Sequence, residues 1–286
     1  MRYRTIHTLV CFLLLMAANI QADNLTQPVS LVPCPVSIVP GTGNFHFSEE
    51  TTFAVENEEQ AVEVRRFTAL LTRAAGFTPR IKVGNKKGDV CLTTDAGLKE
   101  EAYKLEITAK RINIHAADVQ GFFYALQSIR QLLPAAIEGG QVVTGIDWTV
   151  PAVTITDQPR FGYRGLLVDV ARFFSPKENL LRIIDCMAML KLNTLHFHLT
   201  DDNGWRIEIK KYPKLTEIGS KREKTLVDYY YVNYPQVFDG EEHEGYYTQE
   251  QIKDVVAYAA SKYINVVPEI EMPGHALACL LYTSPS

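Results

Sequence analysis

With 286 residues, 47% of them hydrophobic and 22% charged, the chain has a globular composition and room for one large domain or two ordinary ones. A formal charge of -4 supplies no basic surface for nucleic acid or an anionic membrane. It gives no reason to expect a strongly acidic substrate either.

Arg2 and Arg4 precede an apolar run from Leu9 to Ala18, and Ile20-Gln21-Ala22 ends in a small residue before Asp23. That layout reads as a secretory signal peptide over residues 1–22. The run falls short of the roughly 20 apolar residues that a spanning helix needs, so no stable membrane insertion is expected. Cys11 lies inside the run rather than after it, which argues against a lipoprotein anchor. The expectation is an exported protein: periplasmic, outer-surface or secreted. Of the other cysteines, Cys34, Cys91 and Cys186 show neither a CxxC nor an even framework, and read as buried thiols.

Residues 28–158 read as a separate α+β domain. Ala61 to Ala75 is a helical candidate closed by Gly76. Ala102–Ile107 and Arg111–Ala116 alternate like two strands joined tightly through Ala109-Lys110. Gln120 to Leu133 follows as a helix with Phe122, Leu126, Ile129 and Leu133 on one face, ended by Pro134. No cluster here suggests chemistry, so a packing role is expected.

A second unit, residues 161–286, follows the Asp157-Gln158-Pro159 turn. Arg164 to Val170 reads as a strand. Ser175-Pro176-Lys177-Glu178 predicts a capping box opening a helix with Leu180, Ile183, Ile184, Met187 and Leu190 on its apolar face. Asn193 to Leu199 is a second strand, followed by a polar, Tyr-rich excursion from about Gly204 to Tyr247. Thr248-Gln249-Glu250-Gln251 predicts another capping box, and Ile264 to Ile270 a third strand. Apolar strands alternating with helices predict parallel pairing, with the strands buried as in the first units of a β/α barrel.

Chargeable residues gather at the three strand ends: Asp169 and Arg172; His196, His198, Asp201 and Asp202; Glu269, Glu271 and His275. In a parallel sheet those ends share one face, where barrel active sites lie. Arg172 can fork to two oxygens of a sugar or carboxylate, or simply pair with a nearby acid. Of Asp201 and Asp202, one can face the pocket while the other fixes the loop. The Pro273-Gly274 turn would aim the His275 ring across the mouth. His196 and His198, at alternate strand positions, point to one side. They could begin a metal site of a metal-dependent hydrolase, or pack inward as hydrogen-bonded rings, and packing is the preferred reading.

Taken together and in this order, RGLLVDVARFF, LHFHLTDDNGWRIEI and VVPEIEMPGH resemble family 20 glycoside hydrolases, the β-N-acetylhexosaminidases. AYKLEITAKRINIHAADVQGFFYALQSIRQLL resembles the non-catalytic α+β domain that precedes the barrel in bacterial members. The resemblance implies a (β/α)8 TIM barrel, of which this chain holds about the first three βα units. It implies an exo-acting hydrolase releasing terminal N-acetylglucosamine or N-acetylgalactosamine from a glycan, without cofactor or metal. Arg172, Asp201 and His275 would be the sugar-binding residues, with Asp202, Glu271 and His198 in support. Hydrolysis would be substrate-assisted: the 2-acetamido carbonyl attacks the anomeric carbon, an Asp orients it, and an adjacent Glu protonates the leaving oxygen and later activates water. A module that binds sugar without catalysis is the non-enzymatic alternative. Where relatives read Arg-His-Phe or Arg-His-Tyr, this chain has Arg172-Phe173-Phe174.

The family's Asp-Glu pair, typically in a Gly-Gly-Asp-Glu segment ending a fourth strand, has no counterpart here. An eight-stranded barrel also needs about 250 residues, more than follow Gln158. CLLYTSPS, residues 279–286, reads as adapter-derived sequence joined to a truncated coding fragment. The chain is accordingly expected to be an N-terminal fragment, inactive by itself.

Overall fold

The computed structural model describes residues 29–228 and 234–280. The expected leader, residues 1–22, and all but the first two residues of 279–286 lie outside the described residues. No helix among the described residues is long and apolar enough to cross a membrane.

The first unit is a seven-stranded sheet in the order β1-β7-β5-β6-β4-β2-β3. The strands are β1 (Ser37–His46), β2 (Thr52–Val55), β3 (Arg80–Val83), β4 (Val90–Thr94), β5 (Tyr103–Ile107), β6 (Ile112–Ala116) and β7 (Thr149–Asp157). The β5–β6 hairpin is antiparallel, with Leu105 opposite Ile114, and closes through Thr108 and Arg111 as its alternation predicts. Beyond it the sheet holds a parallel half, β6-β4-β2-β3, that no alternation announced. Those strands are short, and β2 and the first three residues of β4 form unbroken buried runs that carry no period of two.

Two helices lie on this sheet, α1 (Glu58–Ala75) and α2 (Val119–Leu132). The first starts ahead of the expected Ala61 because the Asn57 side chain caps Gln60 N–H, and Glu58 and Glu59 suit the positive helix start. Gly76, at φ +80, ends it in the left-handed conformation that glycine adopts without a Cβ clash. Val64, Phe67 and Leu71 face the core, each contributing about 1.5–3 kcal/mol by burial.

The second unit is a parallel sheet in the order β14-β9-β8. Its strands are β8 (Gly165–Asp169), β9 (Thr194–His198) and β14 (Asn265–Glu269), separated by α3 (Lys177–Met189) and α4 (Gln249–Ala260). Register aligns the strand ends, with His198 beside both Asp169 and Glu269. Only β9 is buried as expected. β8 and β14 are edge strands with exposed residues such as Leu167 and Val267, since each has a single neighbour. Pro268, which has no N–H to donate, fits such an edge.

Three other expectations fail or shift. At α3, Pro176 stands at the cap with no side-chain bond, so Ser175 forms no capping box, whereas Thr248 and Gln251 form theirs reciprocally. Cys34 and Cys186 are exposed rather than buried, and only Cys91 is enclosed. The Gly204–Tyr247 excursion is not wholly a solvated loop. Its start pairs back on the preceding residues as the ribbon β10–β11 (Thr200–Asp201, Gly204–Trp205), it contains the ribbon β12–β13 (Lys221–Arg222, His243–Glu244), and it buries Trp205, Arg206 and Tyr247.

The two units meet through residues placed just before the parallel strands. Arg164, ahead of β8, binds Glu101 at 2.5 Å and Tyr124 Oη at 2.8 Å. Lys191, ahead of β9, donates to Asp157 and to Tyr103 Oη, both at 2.8 Å. Tyr263, ahead of β14, donates to Glu63 at 2.8 Å. The α+β unit therefore clamps the N-terminal strand ends and leaves the opposite ends free to form a site.

Candidate active site

At the C-terminal end of β8, Asp169 ties its own turn. Its Oδ1 accepts from the N–H groups of Ala171 and Arg172 at 3.0 Å, and its Oδ2 accepts from Arg172 Nη1 at 2.6 Å. Burial opposes ionisation of Asp169, but these bonds outweigh it and hold the carboxyl below its ordinary range. The same pairing raises the Arg172 pKa further.

Arg172 reaches on to Asp201. Nη2 lies 2.7 Å from Asp201 Oδ2, an ion-pair contact outside hydrogen-bonding angles. Asp201 is 2% exposed and lies beneath its partners, with Oδ1 accepting from Asp202 N–H at 2.6 Å. His275 Nδ1 stands 3.4 Å from Asp201 Oδ1 and 3.5 Å from Asp202 Oδ2, its ring largely exposed. Asp202 Oδ1 also accepts from Leu277 N–H at 3.1 Å, so the second acid does anchor a loop. Residues expected to act together are therefore in contact, and His198 Nε2 also stands 3.4 Å from Asp201 Oδ2.

A second cluster adjoins the first. His196 Nε2 lies 2.6 Å from Glu269 Oε2, and His198 Nδ1 lies 3.5 Å from the same oxygen. His198 Nε2 faces Thr200 O at 2.9 Å, and since a carbonyl only accepts, that nitrogen carries a proton. Glu271 N–H donates to Thr200 Oγ1 at 2.8 Å. The neighbouring Glu269 raises the Glu271 pKa, while at Glu269 desolvation is outweighed by Glu271 and the two imidazoles, which lower it.

Two groups could each gather round a cation, His198-Glu269-Glu271 and Asp201-Asp202-His275, with donor atoms within 4.8 Å of one another. The pair that opened the metal reading behaves differently. His196 and His198 converge on one Glu269 carboxylate oxygen, and His196 belongs to neither group.

Phe173 lies against the His243 ring with centroids 4.2 Å apart, and Phe174 N–H donates to His243 Nε2 at 2.9 Å. Sequence reasoning also passed over Arg206, which is fully buried and donates only to carbonyls. A charged residue inside a stretch that reads as a polar loop gives no burial signal. The Asn203-Gly204-Trp205-Arg206 turn, with two normally buried residue types beside the charge, was the available hint.

The family model described as "Glycosyl hydrolase family 20, catalytic domain" matches residues 161–284, and "Glycosyl hydrolase family 20, domain 2" matches 29–158. This chain belongs to glycosyl hydrolase family 20. A beta-hexosaminidase of Porphyromonas gingivalis is 38% identical over 279 residues, covering 94% of this chain and 34% of the relative. One from Vibrio furnissii is 37% identical, covering 88% and 39%. Among solved structures, a mutant Streptomyces plicatus beta-hexosaminidase in complex with product (GlcNAc) aligns with TM-score 0.77 at 34% identity, covering 89% of this chain and 48% of that one. The chain thus spans between about a third and a half of the length of these family 20 relatives.

Proposed function

We propose that this chain carries the sugar-binding side of an exo-acting β-N-acetylhexosaminidase site. The observation that carries the reading is the contact of Arg172, Asp201 and His275, drawn from three strand ends. A pyranose presents adjacent hydroxyls, each able to accept from one partner and donate to another. Arg172 offers a planar fork of donors, partly exposed at 49%, and Asp169 and Asp201 hold it from below. Asp201 and the exposed His275 would line and brace the site, with Asp202, His198 and Glu271 fixing the loops. In this reading β8, β9 and β14 are the first strands of an eight-stranded barrel, and residues 1–22 direct export.

The reaction would be substrate-assisted retention, with the substrate's acetamido oxygen as nucleophile and an Asp-Glu pair as orienter and acid/base. The 286 residues hold no Gly-Gly-Asp-Glu segment, so no turnover is expected from them alone. The test joins residues 29–276 to the uncovered remainder of the Streptomyces plicatus enzyme and assays a chromogenic β-N-acetylglucosaminide. Turnover by the folded hybrid, falling about 10- to 100-fold in kcat/KM with Arg172→Ala, supports the reading. A folded hybrid indifferent to Arg172→Ala, or robust turnover by the 286-residue chain, defeats it.

A further inference from the structure

Arg206 follows directly on β11 and is 0% exposed. Its Nε donates to Val170 O at 3.1 Å and Ala171 O at 3.2 Å. Nη1 donates to Ser220 O at 2.6 Å and Gly245 O at 2.9 Å. Nη2 donates to Ala171 O at 3.0 Å and Asn203 O at 3.4 Å. Every nitrogen of the guanidinium is thus engaged, and every acceptor is a backbone carbonyl. These carbonyls belong to four separate stretches: the turn leading into Arg172, the turn after Asp201-Asp202, and the two flanks of the β12–β13 ribbon that carries His243.

Resting on the hexosaminidase reading of the site, we propose that Arg206 is its positioning residue, a buried fork that locks the Arg172 turn against the Asp201-Asp202 turn and the β12–β13 ribbon so that Arg172 is presented to the sugar.

The 169–172 turn is gripped from both sides. The Asp169 carboxylate takes the N–H groups of Ala171 and Arg172, and Arg206 takes the carbonyls of Val170 and Ala171. The surroundings are shaped for this guanidinium. A Cβ on Gly204 would lie 2.3 Å from Arg206 Cζ and Nη2, so glycine there keeps the space open. Gly245, whose carbonyl is one acceptor, has φ +151, and a Cβ there would meet the Phe174 ring at 2.2 Å.

Burial drives the Arg206 pKa down to about 10, with Arg222 adding repulsion, so the group still carries its charge at neutral pH. Carbonyl dipoles replace its lost hydration. An apolar side chain of similar size would fill the space as well and escape the desolvation cost, but it would orphan the collected carbonyls. Lysine keeps the charge without the planar fork and cannot reach four stretches at once. This arrangement serves geometry rather than packing.

The test uses the 286-residue chain, Arg206→Lys and Arg206→Met, with the Asp169 carboxyl followed by carbon NMR through an acid titration. Asp169 reports the position of Arg172, because their pairing lowers its titration. In folded variants we expect Asp169 to titrate upward toward the ordinary carboxylate range, while amide protection in the seven-stranded sheet stays unchanged. An unshifted Asp169 in a folded variant overturns the proposal. Should both variants lose the second unit's fold, the unaltered chain still decides. Its Arg206 Nη protons must give separate, slowly exchanging signals, and one averaged, fast-exchanging signal overturns the proposal. N-acetylglucosamine is added in a separate arm. If Asp169 responds to Arg206 substitution but Arg172 ignores the sugar, the sugar assignment falls and the role of Arg206 in placing Arg172 stands.

Discussion

Arg172 Nη2 lies 2.7 Å from Asp201 Oδ2, joining a half-exposed guanidinium to a carboxylate that is 2% exposed. The cation reaching solvent is thus aimed by an anion that does not, and it is held a second time by Asp169 at 2.6 Å. Removing it has a pH signature. Asp169 titrates below its ordinary value, so this pairing adds stability above the unfolded-state pKa and loses it as pH falls through the lower folded value. Arg172→Ala should raise the Asp169 titration and shrink the stability difference between neutral pH and about pH 3. Urea unfolding of both proteins at the two pH values measures it, and an equal difference in both would refute the coupling.

Lys191 and Asp157 form a pair across the two units, with side chains 6% and 11% exposed. Desolvation lowers the Lys191 pKa, and Asp157 is what keeps the charge tolerable. Asp157→Ala strands a buried ammonium and should cost about 3–5 kcal/mol. Lys191→Met with Asp157→Leu should cost much less. Denaturant unfolding of the single and double variants checks the ordering.

Two helix starts that look alike in sequence should differ in mutational cost. Thr248 caps α4 reciprocally with Gln251, whereas Ser175 makes no cap bond to α3. Thr248→Ala is expected to lose about 1 kcal/mol and Ser175→Ala close to nothing. Thermal unfolding of the two variants separates them.

Gly245 and Gly240 both have positive φ, at +151 and +73. An added Cβ meets the Phe174 ring at the first and nothing within 4 Å at the second. Gly245→Ala should therefore cost about 2–4 kcal/mol and Gly240→Ala about 1 kcal/mol. Similar losses on urea titration would contradict the close packing of Gly245 against Phe174.

Much of this site is legible from residue order, because parallel strands bring their C-terminal ends to one face whatever the intervening lengths. The β8, β9 and β14 runs and the Thr248 box were readable for that reason. Burial was not: β8 and β14 are as apolar as β9, yet exposure follows neighbour number. The parallel half of the seven-stranded sheet was hidden because β2, β3 and β4 are four or five residues long and none alternates buried with exposed positions. Arg206 was hidden because its partners are carbonyls, which every residue has. Ser175 misled because the helix begins one residue later than the box implies, with Pro176 at the cap and Ser175 outside it.

The most direct test of the central claim is a titration of the 286-residue chain with N-acetylglucosamine, followed by NMR at the Arg172 guanidinium and the His275 ring. The sugar should shift both sets of signals, with glucose far less effective, and Arg172→Ala should abolish the His275 response. Signals that ignore the sugar, or a His275 response that survives Arg172→Ala, would contradict a sugar site built on Arg172, Asp201 and His275.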